Sequence, residues 1–194
     1  MSQPFVPKLA IGLLHYPILD SKKDLVATNV TNFDIHDIAR ACTVYGVDQY
    51  YIIHPMKEQL MFVERILDHW KTGEGSAYNP YRQRALNRVK TAPSLEQAIN
   101  DWNPDNQAIL TIGTHARAVE GAPFYTINDL KQVLWEQKKS VFLVFGTGFG
   151  MTDEYMRNLG GVLESIRGAP PKDFRHLSVR SAVSIYLDRL MGPW

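Results

Sequence analysis

Three glycines stand at alternate positions, Gly146, Gly148 and Gly150, directly after the apolar run VFLVF at 141–145. Glycines so placed let a backbone turn tightly and come close to a ligand. The same spacing also serves a plain turn between two elements. It is not the G-x-G-x-x-G spacing of a dinucleotide fingerprint, and no Gly-Lys-Ser/Thr follows, so a nucleotide phosphate loop is unsupported. A second segment, IRGAPPKDFRHLSVR at 166–180, contains Gly168, Pro170 and Pro171. These residues make it a rigid, non-helical loop. It leads into Ser178, a good N-cap for a helix whose first turn offers free N–H donors and a partial positive charge. His176 lies just before that start, where a structural hydrogen-bonding role suits it better than that of a general base.

Other candidate groups lie further toward the N-terminus. Arg40 falls on the polar face of a helical stretch together with His36 and Thr43. A guanidinium there can hold a phosphate through two donors, or it can be a solvated side chain paired with Asp37 three residues earlier. The segment 71–90, KTGEGSAYNPYRQRALNRVK, carries Lys71, Arg82, Arg84, Arg88 and Lys90, with Tyr78 and Tyr81 interleaved. Cations meet phosphates and rings stack on bases, so this composition suits RNA contact; a solvated helix after an Asn-Pro turn has the same composition. The histidines are scattered and no CxxC or HExxH pattern occurs, so no metal site is expected.

The elements that must position these groups alternate along the chain. Apolar runs at 8–15 (KLAIGLLH), 47–54 (VDQYYIIH), 108–114 (AILTIGT) and 141–145 read as strands, and 161–166 as a shorter one. Helical periodicity marks 34–45, with Asn32 or Asp34 as cap and Gly46 as stop, then 57–71, 127–136, 152–158 and 178–190. Gly73 and Gly75 break the chain after the second of these. Strand and helix in alternation predict an α/β fold, a mostly parallel sheet with helices on both faces. In such sheets ligands bind at the carboxyl ends of the strands, where the glycine loop falls. The 194 residues suit one domain, 1–194, with a basic helical segment at about 56–105.

Composition narrows the partners. A formal net charge of +1 excludes bulk phosphate binding by a strongly basic surface, so nucleic-acid contact would come from local patches. The single cysteine, Cys42, excludes an intrachain disulfide framework and suits a reducing, cytoplasmic compartment. The apolar stretch near the N-terminus is too short for a membrane span and lacks a signal peptide's basic region and cleavage pattern.

Taken together, FGTGFGM at 145–151 and HLSVRSAVSIYL at 176–187 resemble the cofactor-binding region of the SPOUT methyltransferases. TNVTNFDIHDIARACTVYGVDQYYIIHP at 28–55 is similar to that family's first motif, with Arg40 at its arginine and Asp34 where an asparagine is usual. The pattern looks closer to a small bacterial group of unassigned RNA target than to members that methylate the ribose 2′-hydroxyl. The resemblance implies a C-terminal deep trefoil knot, an exception to the usual absence of knots. It implies S-adenosylmethionine as cofactor, with S-adenosylhomocysteine as product, in a pocket at Thr114, Phe145, Gly146, Gly148, Gly150, Ile166, Gly168, Leu177, Ser178 and Val179. It implies RNA, tRNA or rRNA, as acceptor, methylated on a base nitrogen or a ribose hydroxyl. It also implies a homodimer in which Arg40 of one subunit approaches the other's cofactor. The first helix and the last helix are the expected dimer surfaces, the last carrying Tyr186 and Leu190 beside Met191 and Trp194. Asp34, Asp173 and His176 are the candidates for the general base. A non-catalytic RNA-binding module with the same fold and a nucleotide-binding α/β enzyme are the alternatives.

Overall fold

The computed structural model describes residues 5–103, 105 and 107–193; Trp194 lies outside them. Seven strands form one sheet in the order β5-β4-β1-β8-β6-β9-β7. They are β1 (Leu9–Leu14), β4 (Gln49–Ile53), β5 (Val89–Ala92), β6 (Ile109–Thr114), β7 (Phe124–Tyr125), β8 (Ser140–Gly146) and β9 (Gly161–Leu163). Every neighbouring pair is parallel, as the alternating pattern predicts. A parallel sheet is covered on both faces, which is why β1 and β8 read as unbroken apolar runs.

Side chains alternate between two cores. Leu9, Ile11 and Leu13 of β1 face one core with Ile35, Ile38 and Cys42 of α1 (Asn32–Val44) and Val183, Leu187 and Leu190 of α8 (Val179–Met191). That core also holds Val63 and Leu67 of α2 (Lys57–Lys71). Ala10 and Leu14 face the other, with Phe142, Trp102 of α5 (Leu95–Trp102) and Met156 of α7 (Asp153–Arg157). Cys42 is fully buried, and burial pushes its thiol well above the ordinary value.

The sequence bounds hold closely for α2, α8 and β8. Elsewhere the structure corrects them. The cap of α1 is Thr31, whose hydroxyl accepts from the Asp34 N–H. Gly75 does not break the chain but lies inside a short helix, α3 (Glu74–Tyr78). Segment 56–105 is not wholly helical: after α4 (Pro80–Leu86) it supplies the edge strand β5 and then α5. The stretch expected as one helix at 127–136 is α6 (Ile127–Lys131) continuing as a π-helical turn, Gln132–Glu136. The unread segment between β1 and α1 forms a small antiparallel hairpin, β2 (Ile18–Leu19) with β3 (Leu25–Val26). Tyr186 and Leu190, expected on a dimer surface, are buried in this chain's own core.

Candidate active site

A cavity of about 850 Å³ opens at the carboxyl ends of β6 and β8, within the size range of small-molecule sites. Four stretches wall it: the first motif from Thr28 to Asp34, the end of β6 from Thr114 to Arg117, the glycine loop, and the loop that enters α8. Of the residues named for the pocket, Thr114, Phe145, Gly146, Gly148, Gly150, Ile166, Leu177, Ser178 and Val179 all line it. Gly168 does not. Its N–H donates to Asp173 Oδ1 at 2.7 Å, and a β-carbon there would meet the Phe174 backbone. Its task is to close the loop on itself.

The glycine loop is fixed by the protein before any ligand arrives. Gly148 has φ +54° and Gly150 φ +92°. The Leu19 N–H donates to the Gly150 carbonyl at 2.9 Å, and the Phe149 N–H to the Leu19 carbonyl at 3.2 Å, so the loop pairs with β2. A β-carbon on Gly150 would sit 3.0 Å from His115 Nε2, and one on Gly148 3.0 Å from Ile18 Cγ2. One on Gly146 would press on the Met151 N atom at 3.1 Å. The close approach that these glycines permit is therefore to the protein's own chain.

Thr147 anchors the same loop downward. Its hydroxyl donates to the Leu14 carbonyl at 3.3 Å and bonds the Thr28 hydroxyl, which also bonds His15 Nδ1 at 3.0 Å. His15 is fully buried, and its pKa falls to about 4, first through burial and then through the neighbouring His54. It stays neutral. His54 accepts from the Met56 N–H at Nδ1, 3.0 Å away, which assigns its proton to Nε2 beside the Thr28 carbonyl. Thr28 thus joins the hairpin, the end of β1 and the glycine loop.

The loop entering α8 is held by Arg175, which pairs with Asp173 and donates to Ser165 Oγ at 3.0 Å. That guanidinium keeps the Asp173 carboxyl below the usual carboxylate range. Asp173, named as a possible base, is therefore committed to the loop. Tyr186 donates to the Glu164 carbonyl at 2.7 Å and forms the apolar floor with Phe145, their ring centres 6.0 Å apart. His176 lines the cavity and is exposed, next to the Phe174 ring.

Asp34 also lines the cavity. Thr31 Oγ1 donates to its Oδ2 at 2.5 Å, and Arg180 Nε stands 3.8 Å from its Oδ1. Arg180, not Arg40, is the cation of this corner, since it also reaches Asp37 at 3.9 Å. Arg40 is exposed on α1, does not line the cavity and makes no ion pair among the described residues.

The basic segment divides. Arg88 is a clasp, donating to the Val47 carbonyl and, at 3.4 Å, to that of Asp48, which removes it from an RNA-facing patch. Arg82 stacks on Trp70, 4.3 Å from the ring centre. Arg84 is exposed, as are Tyr78 at 84% and Tyr81 at 86%.

Sequence reasoning missed Thr28, Asn29, Thr31, His115, Arg117, Thr147, Phe149 and Arg175 as cavity walls. His115 accepts from the Arg117 N–H at 3.2 Å through Nδ1, and burial lowers its pKa. Its place just beyond β6, at the carboxyl edge of a parallel strand, was the available signal. Among the described residues no group of three or more His, Cys, Asp or Glu could hold a metal ion, and no helix is long and apolar enough to cross a membrane.

The family model for SAM-dependent RNA methyltransferases matches residues 8–192. An uncharacterized protein of Aquifex aeolicus (strain VF5) is 36% identical over 183 residues, 94% of this chain and 87% of that one. A tRNA (guanine-N(1)-)-methyltransferase of Nitratidesulfovibrio vulgaris is 36% identical over 185 residues. That match takes 95% of this chain but 42% of the relative, so the chain spans less than half of its length. Among solved structures, TrmJ from Z. mobilis ZM4 superposes with a TM-score of 0.60 at 16% identity, covering 98% of this chain and 70% of that one, a likeness of fold. The cavity at the carboxyl edge of a parallel sheet, and a family match over nearly the whole chain, have one reading: the chain belongs to the SAM-dependent RNA methyltransferases.

Proposed function

We propose that the cavity between the glycine loop and the loop entering α8 holds one S-adenosylmethionine per chain, and that tRNA or rRNA is methylated at its mouth. The observation that carries this is the cavity itself, with its apolar floor of Phe145, Ile166 and Tyr186 and its rim of loop backbone at 146–150 and 177–179. These residues fit the cofactor: the floor suits a ring, and the rim offers peptide groups to its polar ends. The bound cofactor supplies an electrophilic methyl group, while the protein supplies orientation and proton removal.

Phe145, Gly146, Leu177 and Val179 orient the cofactor. Thr28 and Thr147 keep the glycine loop in place. His176 is the candidate for taking a proton from the acceptor because it is exposed at the cavity wall and Asp173 is committed to Arg175. Asp34 is the second candidate, since it lines the cavity between Thr31, which donates to its Oδ2, and Arg180. Arg40 acts, in this reading, on the acceptor bound to the other subunit of a homodimer, where a fixed cation orients a phosphate. Its exposure and its absence from the cavity wall of its own chain support that role. The trefoil threading of 166–178 belongs to the same reading. The name of the N. vulgaris relative supports tRNA, and a guanine nitrogen, as the first acceptor to try.

Calorimetric titration with S-adenosylmethionine and S-adenosylhomocysteine tests the pocket, and one site per chain is expected. No binding of either would overturn it. Mass spectrometry of tRNA and rRNA nucleosides from cells with and without the protein identifies the acceptor, and unchanged methylation in both would refute the assignment. Sedimentation at micromolar concentration tests the dimer; a 22.1 kDa species alone would refute it.

A further inference from the structure

A second concavity, of about 420 Å³, runs along α2 and is lined by Asn32, Phe62, Arg65, Ile66, His69 and Trp70. It begins beside the candidate active site. Gln59 of α2 accepts from the Val30 N–H at 2.9 Å and donates to Asn29 Oδ1 at 3.4 Å, and Asn29 lines the active-site cavity. Asn32 follows Thr31, another wall residue of that cavity. From Gln59 the positions 62, 66 and 69 continue along one side of the helix at spacings of three and four. At the far end Arg82 lies over Trp70, and α3 and α4 present Tyr78 and Tyr81 to solvent. The rise from residue 59 to 70 is about 16 Å at 1.5 Å per residue.

The chemistry of this side is selective. The carboxylates of Glu64 and Asp68 face a different groove, against β5, where Glu64 accepts from Thr91 Oγ1 at 3.0 Å. The side toward Asn32 carries Arg65 and His69 instead, with the Phe62 ring, 42% exposed, one turn before Arg65. An exposed ring one turn from a guanidinium, with the Glu64 and Asp68 carboxylates on another groove, is an arrangement that receives an unpaired base and its phosphate.

We propose that this groove is a nucleotide subsite, seating one unpaired base of the substrate RNA on Phe62 with its phosphate at Arg65, and so leading the strand from the Tyr78–Tyr81 surface to the active-site cavity. The inference rests on the RNA-methylating reading above. It commits to single-stranded RNA; a second copy of the chain is the competing occupant.

The test uses a ten-nucleotide, fluorescein-labelled single-stranded RNA in saturating S-adenosylmethionine, with calorimetry of the cofactor on the same samples. Phe62→Ala and Arg65→Ala should each weaken RNA binding about fivefold or more, Phe62→Trp should restore it, and cofactor affinity should not change. A 4-thiouridine version of the RNA should cross-link to the peptide containing residues 57–71. The subsite is overturned if Phe62→Ala binds the RNA as the parent protein does, if it loses cofactor affinity in equal measure, or if its effect is to split a dimer while RNA binding is retained. A parent protein that binds cofactor but not this RNA also overturns the subsite and leaves the cofactor pocket standing. Failure to bind cofactor is instead the failure of the pocket.

Discussion

Replacing Gly150 by alanine separates the loop's own strain from its contacts with the cofactor. Its φ of +92° lies beyond the left-handed well near +50 to +70° that other residues visit. A side chain held there costs about 1–3 kcal/mol. The new β-carbon also meets His115 Nε2 at 3.0 Å, and the imidazole is held in turn by the Arg117 N–H at 3.2 Å. If the loop relaxes in the free protein and must be strained again to bind, the whole cost falls on affinity. S-adenosylmethionine binding then weakens by roughly 5- to 150-fold, at about 1.4 kcal/mol per tenfold. If the pairing with β2 keeps the loop strained in both states, the cost appears as stability, about 2–4 °C of Tm for each kcal/mol. Calorimetric titration and a thermal melt on the same sample divide the two. Gly150→Ala together with His115→Ala should recover the contact part and leave the backbone part. A single variant with Kd within twofold of the parent and an unchanged Tm would refute the argument that this φ and this contact shape the pocket.

Protonation of His15 should destabilise the fold in acid. Its folded pKa of about 4 lies below the unfolded value of 6.5, so the stability is intact above pH 6.5, falls as the pH drops toward 4, and amounts to about 3 kcal/mol. Urea melts at pH 7, 5.5 and 4.5 check this, and a flat profile would contradict it. Arg40→Ala should leave stability within about 0.5 kcal/mol and cofactor affinity unchanged, yet lower methyl transfer on the order of 10²-fold; tritium transfer to tRNA at the parent rate would make Arg40 a solvated surface residue. Arg84→Ala should weaken RNA binding and reduce its salt slope by about 1, whereas Arg88→Ala should lower Tm because two carbonyls lose their donor. The reverse pattern in filter binding and melting would return Arg88 to the RNA surface.

Long periodic segments were legible because their own side chains decide them. α2 keeps the expected bounds, Lys57–Lys71, and Ser178 caps α8 through the Ser181 N–H. Strand β8 and the glycine turn were equally plain, since an unbroken apolar run has no place except the middle of a covered sheet. The hairpin at 18–26 was not legible, because two-residue strands carry no period and are fixed by pairing with the glycine loop. Strand β5 was hidden by its charges: Lys90 of an edge strand looks outward to Asp101, 2.7 Å away, and reads as part of a basic tract. The roles of Arg88 and Gly168 depend on partners distant in the fold or folded back within a loop, which residue type alone does not reveal. The corner at Asp34 depends on Arg180, far along the chain, so the ion pair existed only once α1 and α8 were packed together.

The buried thiol of Cys42 makes the molecule a recorder of its own opening. A maleimide cannot reach it until α1 lifts from the sheet, and the shift of its pKa keeps the thiolate scarce while α1 stays packed. Alkylation in native buffer therefore counts opening events, and no second cysteine adds background. Because α1 begins at the cavity wall and Thr28 ties the preceding segment to the glycine loop, the counting rate should drop when that loop is occupied. The same background lets a cysteine introduced at an exposed site carry a single dye, so that the arrival of RNA can be followed with no other labelled position on the chain.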